Sequence, residues 1–203
     1  MIQLARLDSD TMPSSSLSLP LSLPWALGRY TLLRALGNET TTYLGADGNY
    51  GRLCIVHLLP PALIGRLDDA RPLCQLSHPN LLQVTDADVI DGQALVATEF
   101  VAGRDLYGVL RKAAECGIEM PVGLSLYIAR EIARGLSALH TWKGGLLTHG
   151  AVAPTNVILS FSGEVKLADF GLSRFSDADS SSPQAERRRY RGYLPPEQRT
   201  GGA

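Results

Sequence analysis

Two periods of hydrophobic and polar positions run along the chain. From Arg29 onward the alternation is that of strands. Residues 30–36, 40–46 and 51–58 predict three antiparallel strands joined by tight turns, with Asp47-Gly48 as a hairpin signal. Residues 81–90 and 94–99 predict two more, joined at Asp91-Gly92. Farther on the period changes. Leu124, Ile128, Ile132, Leu136 and Leu139 recur every three or four residues, which places one apolar stripe on a long helix. Ala129, Ala133 and Ala138 let that helix pack closely. Residues 60–76 predict another helix, short or kinked because Gly65 and Pro72 weaken it. A short amphipathic helix opens at Gly103-Arg104-Asp105-Leu106, and residues 111–121 are expected to form a looser loop containing Gly117 and Pro121.

The last clear pattern is a small hairpin. Val157, Ile158 and Leu159 form one strand, Ser162-Gly163 the turn, and residues 165–168 the return strand. Asn156 opens the first strand and Asp169 closes the second, so the two are expected side by side on one rim. Two oxygen ligands so placed suit a hard divalent cation held against a polyphosphate; the plainer alternative is that both cap turns. At the other end, SSSLSLPLSLP alternates Leu with Ser, but Pro13, Pro20 and Pro24 interrupt it, and a flexible tail over residues 1–28 is expected.

Composition bounds the class. With 203 residues, 45% of them apolar and 19% charged, the chain can build one domain with a substantial core. A formal charge of -1 provides no overall field towards nucleic acid or an anionic membrane, and neither is expected as a partner. Cys54, Cys74 and Cys116 lack metal-site spacing and read as free thiols. A reducing, cytoplasmic setting is expected, since no apolar run is long enough to span a bilayer and the N-terminus lacks a secretory pattern.

Three segments in order carry a family resemblance: HGAVAPTNVIL from His149, KLADFGLSR from Lys166, and GYLPPEQ from Gly192. They resemble the catalytic loop, the metal-binding Asp-Phe-Gly segment and the Ala-Pro-Glu segment of eukaryotic-like Ser/Thr protein kinases, including the bacterial ones. The resemblance implies an α+β fold with a five-stranded antiparallel small lobe over residues 29–100. The first part of a mainly helical large lobe would follow over 101–203, ending after the activation segment. It implies Asn156 and Asp169 as metal ligands. For a nucleotide it implies Gly37 at the glycine-rich tip, His57 in the place of the phosphate-binding lysine, and Asp69 where that lysine's glutamate partner stands. The hinge would be Thr98, Glu99 and Val101.

The departures matter as much as the matches. Ala151 stands for the catalytic Asp, Ala153 for the loop Lys, and Gly150 for the motif Arg, so no catalytic residue is expected. An Ala has no atom that accepts a proton, and an imidazole is shorter than a lysine arm and mostly neutral near pH 7. The expected function is therefore a catalytically impaired kinase-like domain that acts as a binding or regulatory module, with ATP and Mg²⁺ bound weakly or not at all. An active kinase transferring the γ-phosphate to protein hydroxyls is the first alternative, and a ligand-free scaffold remnant the second. The truncation the resemblance implies leaves one side of the Leu124–Leu139 stripe without its usual cover. A protein partner or a missing C-terminal segment is expected against it.

Overall fold

The computed structural model describes residues 23–36, 41–143, 147–170 and 192–193. Chain order begins with strands β1 (Trp25–Leu27), β2 (Tyr30–Ala35), β3 (Thr42–Asp47) and β4 (Arg52–Leu58). A single α turn follows, α1 (Leu67–Ala70), between 3-10 turns at Pro61–Arg66 and Arg71–Gln75. Then come β5 (Val84–Ile90), β6 (Gln93–Glu99), β7 (Gly103–Asp105), α2 (Leu106–Glu115) and α3 (Val122–His140). A 3-10 turn at Pro154–Asn156 leads into β8 (Val157–Ser160) and β9 (Val165–Leu167). The first six strands make one antiparallel sheet in the order β1-β2-β3-β4-β6-β5. A small sheet, β7-β8-β9, belongs to the mainly helical second lobe.

Four expectations are corrected here. The sheet has six strands, not five, because Trp25–Leu27 pairs with β2 and buries Leu27 against Tyr30 and Leu32. The expected tail boundary at residue 28 thus falls inside the sheet. Pro24 sits just outside the strand, where its missing N–H costs no ladder bond. Gly28, at φ +54, makes the turn back and lies against the Ile90 side chain. The helix expected over 60–76 is broken into three short pieces, with Pro61 and Pro72 each early in a 3-10 turn. Leu63, Leu67, Ala70 and Leu73 are still buried on one face, so its core contribution survives the loss of regular helix. Helix α2 continues to Glu115, beyond the expected loop onset at 111. Its N-terminus is capped by Asp105, which accepts from Gly108 N at 2.7 Å. Arg111 and Lys112 pair with Glu115 in its last turn. Finally, β5 begins at Val84 rather than at residue 81. Leu81 forms a parallel bridge to Leu167 instead.

That bridge is part of a seam between the lobes. Leu82 N donates to Leu167 O at 2.7 Å, and Leu167 N donates to Asn80 O at 2.9 Å. The buried Asn80 side chain completes it: Nδ2 donates to Val165 O at 3.0 Å and to Glu131 Oε2 at 2.9 Å. Glu131 lies on the buried face of α3 with Ile128, Gly135 and Leu139. Burial works to raise its pKa, but the hydrogen bonds from Asn80 and Arg130 and the charges of Arg134 and Arg130 hold it below the ordinary carboxylate value. Gly135 is required by the same seam, since a Cβ there would lie 2.8 Å from Asn80 O. Around these groups the main core gathers Leu63, Leu81, Ile128, Leu139, Leu167 and Phe170. Each full burial of such a side chain contributes about 1.5–3 kcal/mol.

Replacing Asn80 by Ala removes one buried amide that serves two acceptors. The expected loss is about 2–3 kcal/mol of unfolding free energy, read from urea denaturation. A loss below about 0.5 kcal/mol would mean that the seam does not depend on the amide.

Candidate functional site

The β8–β9 hairpin sets the site. Its register pairs Val157 with Leu167, Ile158 with Lys166 and Leu159 with Val165. The residue before β8 and the residues after β9 therefore meet, and Ala168 N donates to Asn156 O at 2.9 Å. Asn156 is only 3% exposed. Its backbone N donates to Ala153 O at 2.9 Å and its Nδ2 to Ala151 O at 2.9 Å, which turns Oδ1 the other way. Asp169 takes φ +62, a left-handed conformation unusual for a residue with a Cβ. The turn buries Phe170 in the main core while leaving the Asp169 carboxylate half-buried at the rim.

Two imidazoles lie within the field of that carboxylate. His57 comes from β4 of the first lobe, opposite Thr42 in the ladder, with Nδ1 3.2 Å from Thr42 Oγ1. His149 comes from the loop of the second lobe and is 2% exposed, its Nδ1 accepting from Ala151 N at 3.3 Å. Nδ1 being an acceptor places the proton of the neutral ring on Nε2. Burial pushes the pKa of both rings below the ordinary imidazole value, and the Asp169 carboxylate works against it in each case. The sequence signal for His149 is its place at the head of the catalytic-loop-like segment, two residues before Ala151; its burial beside Asp169 is a tertiary feature.

The remaining predicted residues divide. Thr98 is 2% exposed near the end of β6, its Oγ1 buried without a partner among the described residues. Glu99 is tied sideways: Oε1 accepts from Lys166 Nζ at 2.8 Å and from Gln83 N at 3.0 Å. Val101 is half-buried against the main core on the segment that joins the lobes. Ala153 is buried and Ala151 half-buried; neither side chain carries a functional group. Asp69, expected opposite His57, is exposed, and among the described residues no hydrogen bond or ion pair joins the two. On the same face it is Asp68 that is paired, with Arg71 at 2.7 Å. The broken helix explains this: with only one α turn, the segment turns Leu67 and Ala70 inward and both carboxylates out. Gly37 lies outside the described residues, as do the Ser/Asp-rich and arginine-rich stretches after Phe170 and Glu197. No group of three or more His, Cys, Asp or Glu among the described residues is arranged to hold a metal ion. No described helix is long and apolar enough to cross a membrane.

Residues 64–201, more than half of the chain, match the family model for the protein tyrosine and serine/threonine kinases. The chain belongs to the protein kinase family. Its fold is the two-lobed kinase fold, an antiparallel small lobe joined to a helical large lobe. The solved PknI kinase domain of Mycobacterium tuberculosis is similar at 27% identity and a TM-score of 0.66, covering 91% of this chain and 68% of that one. Two proteins of Myxococcus xanthus are also similar: the tyrosine-protein kinase MasK, 29% identical over 182 residues, and the serine/threonine-protein kinase pkn2, 31% identical over 189. These alignments take in 81% and 86% of this chain but only 28% and 22% of the relatives, so the kinase chain described here spans about a quarter of their length.

Two outcomes follow from the site. Lys166 is 12% exposed and Glu99 32%, so Lys166→Met should cost about 1–2 kcal/mol, seen as a lower melting temperature that added salt does not erase. The histidines set a pH dependence. Because their folded pKa values lie below the ordinary 6.5, the unfolded chain takes up protons first on acidification. Stability is fully present above pH 6.5 and is lost as pH falls through the folded values, so the melting temperature should be lower at pH 5.5 than at pH 7.5. An unchanged or higher value at pH 5.5 would contradict the burial of these rings.

Proposed function

We propose that this chain is a kinase-like domain that no longer transfers phosphate and serves as a binding or regulatory module. One observation carries the reading: the position between His149 and Asn156 where a base is needed is occupied by Ala151. Its backbone is fully engaged, N donating to His149 Nδ1 and O accepting from Asn156 Nδ2, so the loop is held together without the reactive side chain. A positioned acid–base group is worth about 10²–10⁴-fold in rate. The loss of a cation at Ala153 and the imidazole at His57 add to the deficit.

For a nucleotide with Mg²⁺ the fit is uneven. Asn156 Oδ1 and the Asp169 carboxylate are the oxygen donors a hard cation prefers, and these two residues would hold it. When bound, the ion would neutralise charge on phosphate oxygens. At the two positions where the family resemblance puts lysines for the phosphates, this chain has the imidazole of His57 and the methyl group of Ala153. Weak nucleotide binding follows. A binding role also has surface to use: Val122, Leu124 and Leu126 stand exposed at the start of α3.

A second reading, an active Ser/Thr protein kinase, is favoured by the relatives, which are named as kinases, and by the retention of Asn156 and Asp169. The deciding assay is transfer of labelled γ-phosphate to a generic basic protein substrate with Mg²⁺. The expected result is no transfer above the level of Asp169→Ala. Metal-dependent transfer that Asp169→Ala abolishes would establish the second reading.

A further inference from the structure

We infer that the Lys166–Glu99 ion pair is a releasable latch that holds the two lobes at one angle and so limits how far the cleft between them opens. The inference stands whether or not phosphate is transferred.

Three residues, 100–102, connect β6 of the first lobe to β7 of the second. The β8–β9 hairpin grips both ends of this connection. At its start, Lys166 Nζ on β9 donates to Glu99 Oε1 on β6 at 2.8 Å. At its end, Phe161 N donates to Ala102 O at 2.9 Å, and Gly103 pairs with Ser160 on β8. The chains lie close there, since a Cβ on Gly103 would run into Leu159 O. A short connection fixed at both ends to one hairpin cannot work as a hinge until one end lets go.

The two ends differ in what release requires. At Ala102 and Gly103 the contacts are backbone, so release breaks a sheet ladder. At Glu99 the tie is an ammonium on a four-carbon stem, which can swing away while the backbone stays in place. The pair is effective while it lasts, because both side chains are mostly buried and salt screens them little. Glu99 is also held in position: its Oε1 accepts from Gln83 N at 3.0 Å, and its N donates to Gln83 O at 2.9 Å. Next to Gln83, Leu82 N donates to Leu167 O, beside Lys166 in the chain. The latch thus adjoins the backbone seam between the lobes.

What the latch controls follows from the strands it joins. His57 stands on β4, which pairs with β6, and Asp169 follows β9 after one residue. A tie between β6 and β9 therefore limits the separation of His57 and Asp169 across the cleft.

The test compares the whole chain with Lys166→Met, Glu99→Gln and Lys166→Arg. Spin labels go on Cys116, exposed after α2, and on the cysteine introduced by Tyr50→Cys, exposed between β3 and β4, in a Cys74→Ser background. The unaltered chain should give one narrow distribution of distances. Lys166→Met and Glu99→Gln should broaden it about twofold or add a longer distance, whereas Lys166→Arg, which keeps the charge, should leave it narrow. Native-state hydrogen exchange separates a latch from a merely stabilising pair. In Lys166→Met the Leu82 and Phe161 amides should accelerate roughly tenfold more than those of β3 and β4, which report only the general loss of stability. Equal acceleration throughout would overturn the inference. So would a broad distribution in the unaltered chain, or a narrow one in both charge-removing variants. Failure of both to fold would overturn it too, since a tie the fold requires is not releasable.

Discussion

The Asn80 amide is the contact on which the arrangement of the two lobes depends. Covalently, the lobes are joined through the segment after β6; they are also joined by this side chain, the short ladder around it and the Lys166–Glu99 pair. A buried amide with both protons engaged tolerates little displacement, because a slip breaks its hydrogen bonds to Val165 O and Glu131 in a buried site. Glu131 can accept because Arg130 and Arg134 keep it charged. From Val165 the constraint passes along β9 to Leu167, then to Ala168, whose N–H meets Asn156 O, and so to Asp169. The position of the rim carboxylate is thus set from the middle of α3.

This route explains how site geometry persists where the chemistry is altered. The loop from His149 to Asn156 is held by Ala153 O, Ala151 N and Ala151 O, all backbone groups indifferent to what their side chains carry. The fold asks for a turn of that shape and for a buried imidazole and carboxamide, and the chain supplies them. Phosphoryl transfer asks in addition for a proton acceptor and a cation, and no contact of the fold requires either. Membership of the kinase family and kinase chemistry are therefore separate questions for this chain.

Much of the architecture was legible in the residues alone. Alternation located β2, β3, β4 and β6, and the helical stripe located α3, because one buried face imposes its period directly on the sequence. The meeting of Asn156 with the end of β9 was legible too, since a short hairpin leaves its ends little freedom. Other features were not. Trp25–Leu27 is too short to show a period, and its strand exists only because β2 offers an edge. The stripe on α3 did not announce Glu131 or Gly135, since a charged residue and a glycine on a buried face look like breaks until Asn80 supplies the reason.

By itself, then, the sequence determined most strands of the first sheet, the long helix, the hairpin that presents Asn156 and Asp169, and the absence of an ionisable side chain at 151 and 153, because these follow from local period, turn chemistry and residue identity. The two lobes were legible only through the family resemblance. Only the tertiary structure decided that Asp69 faces solvent, that Lys166 answers Glu99, and that His57 and His149 share the field of Asp169. Those outcomes depend on which distant segments meet when the core closes. A side chain's partner across such a meeting leaves no mark in its own neighbourhood of the chain.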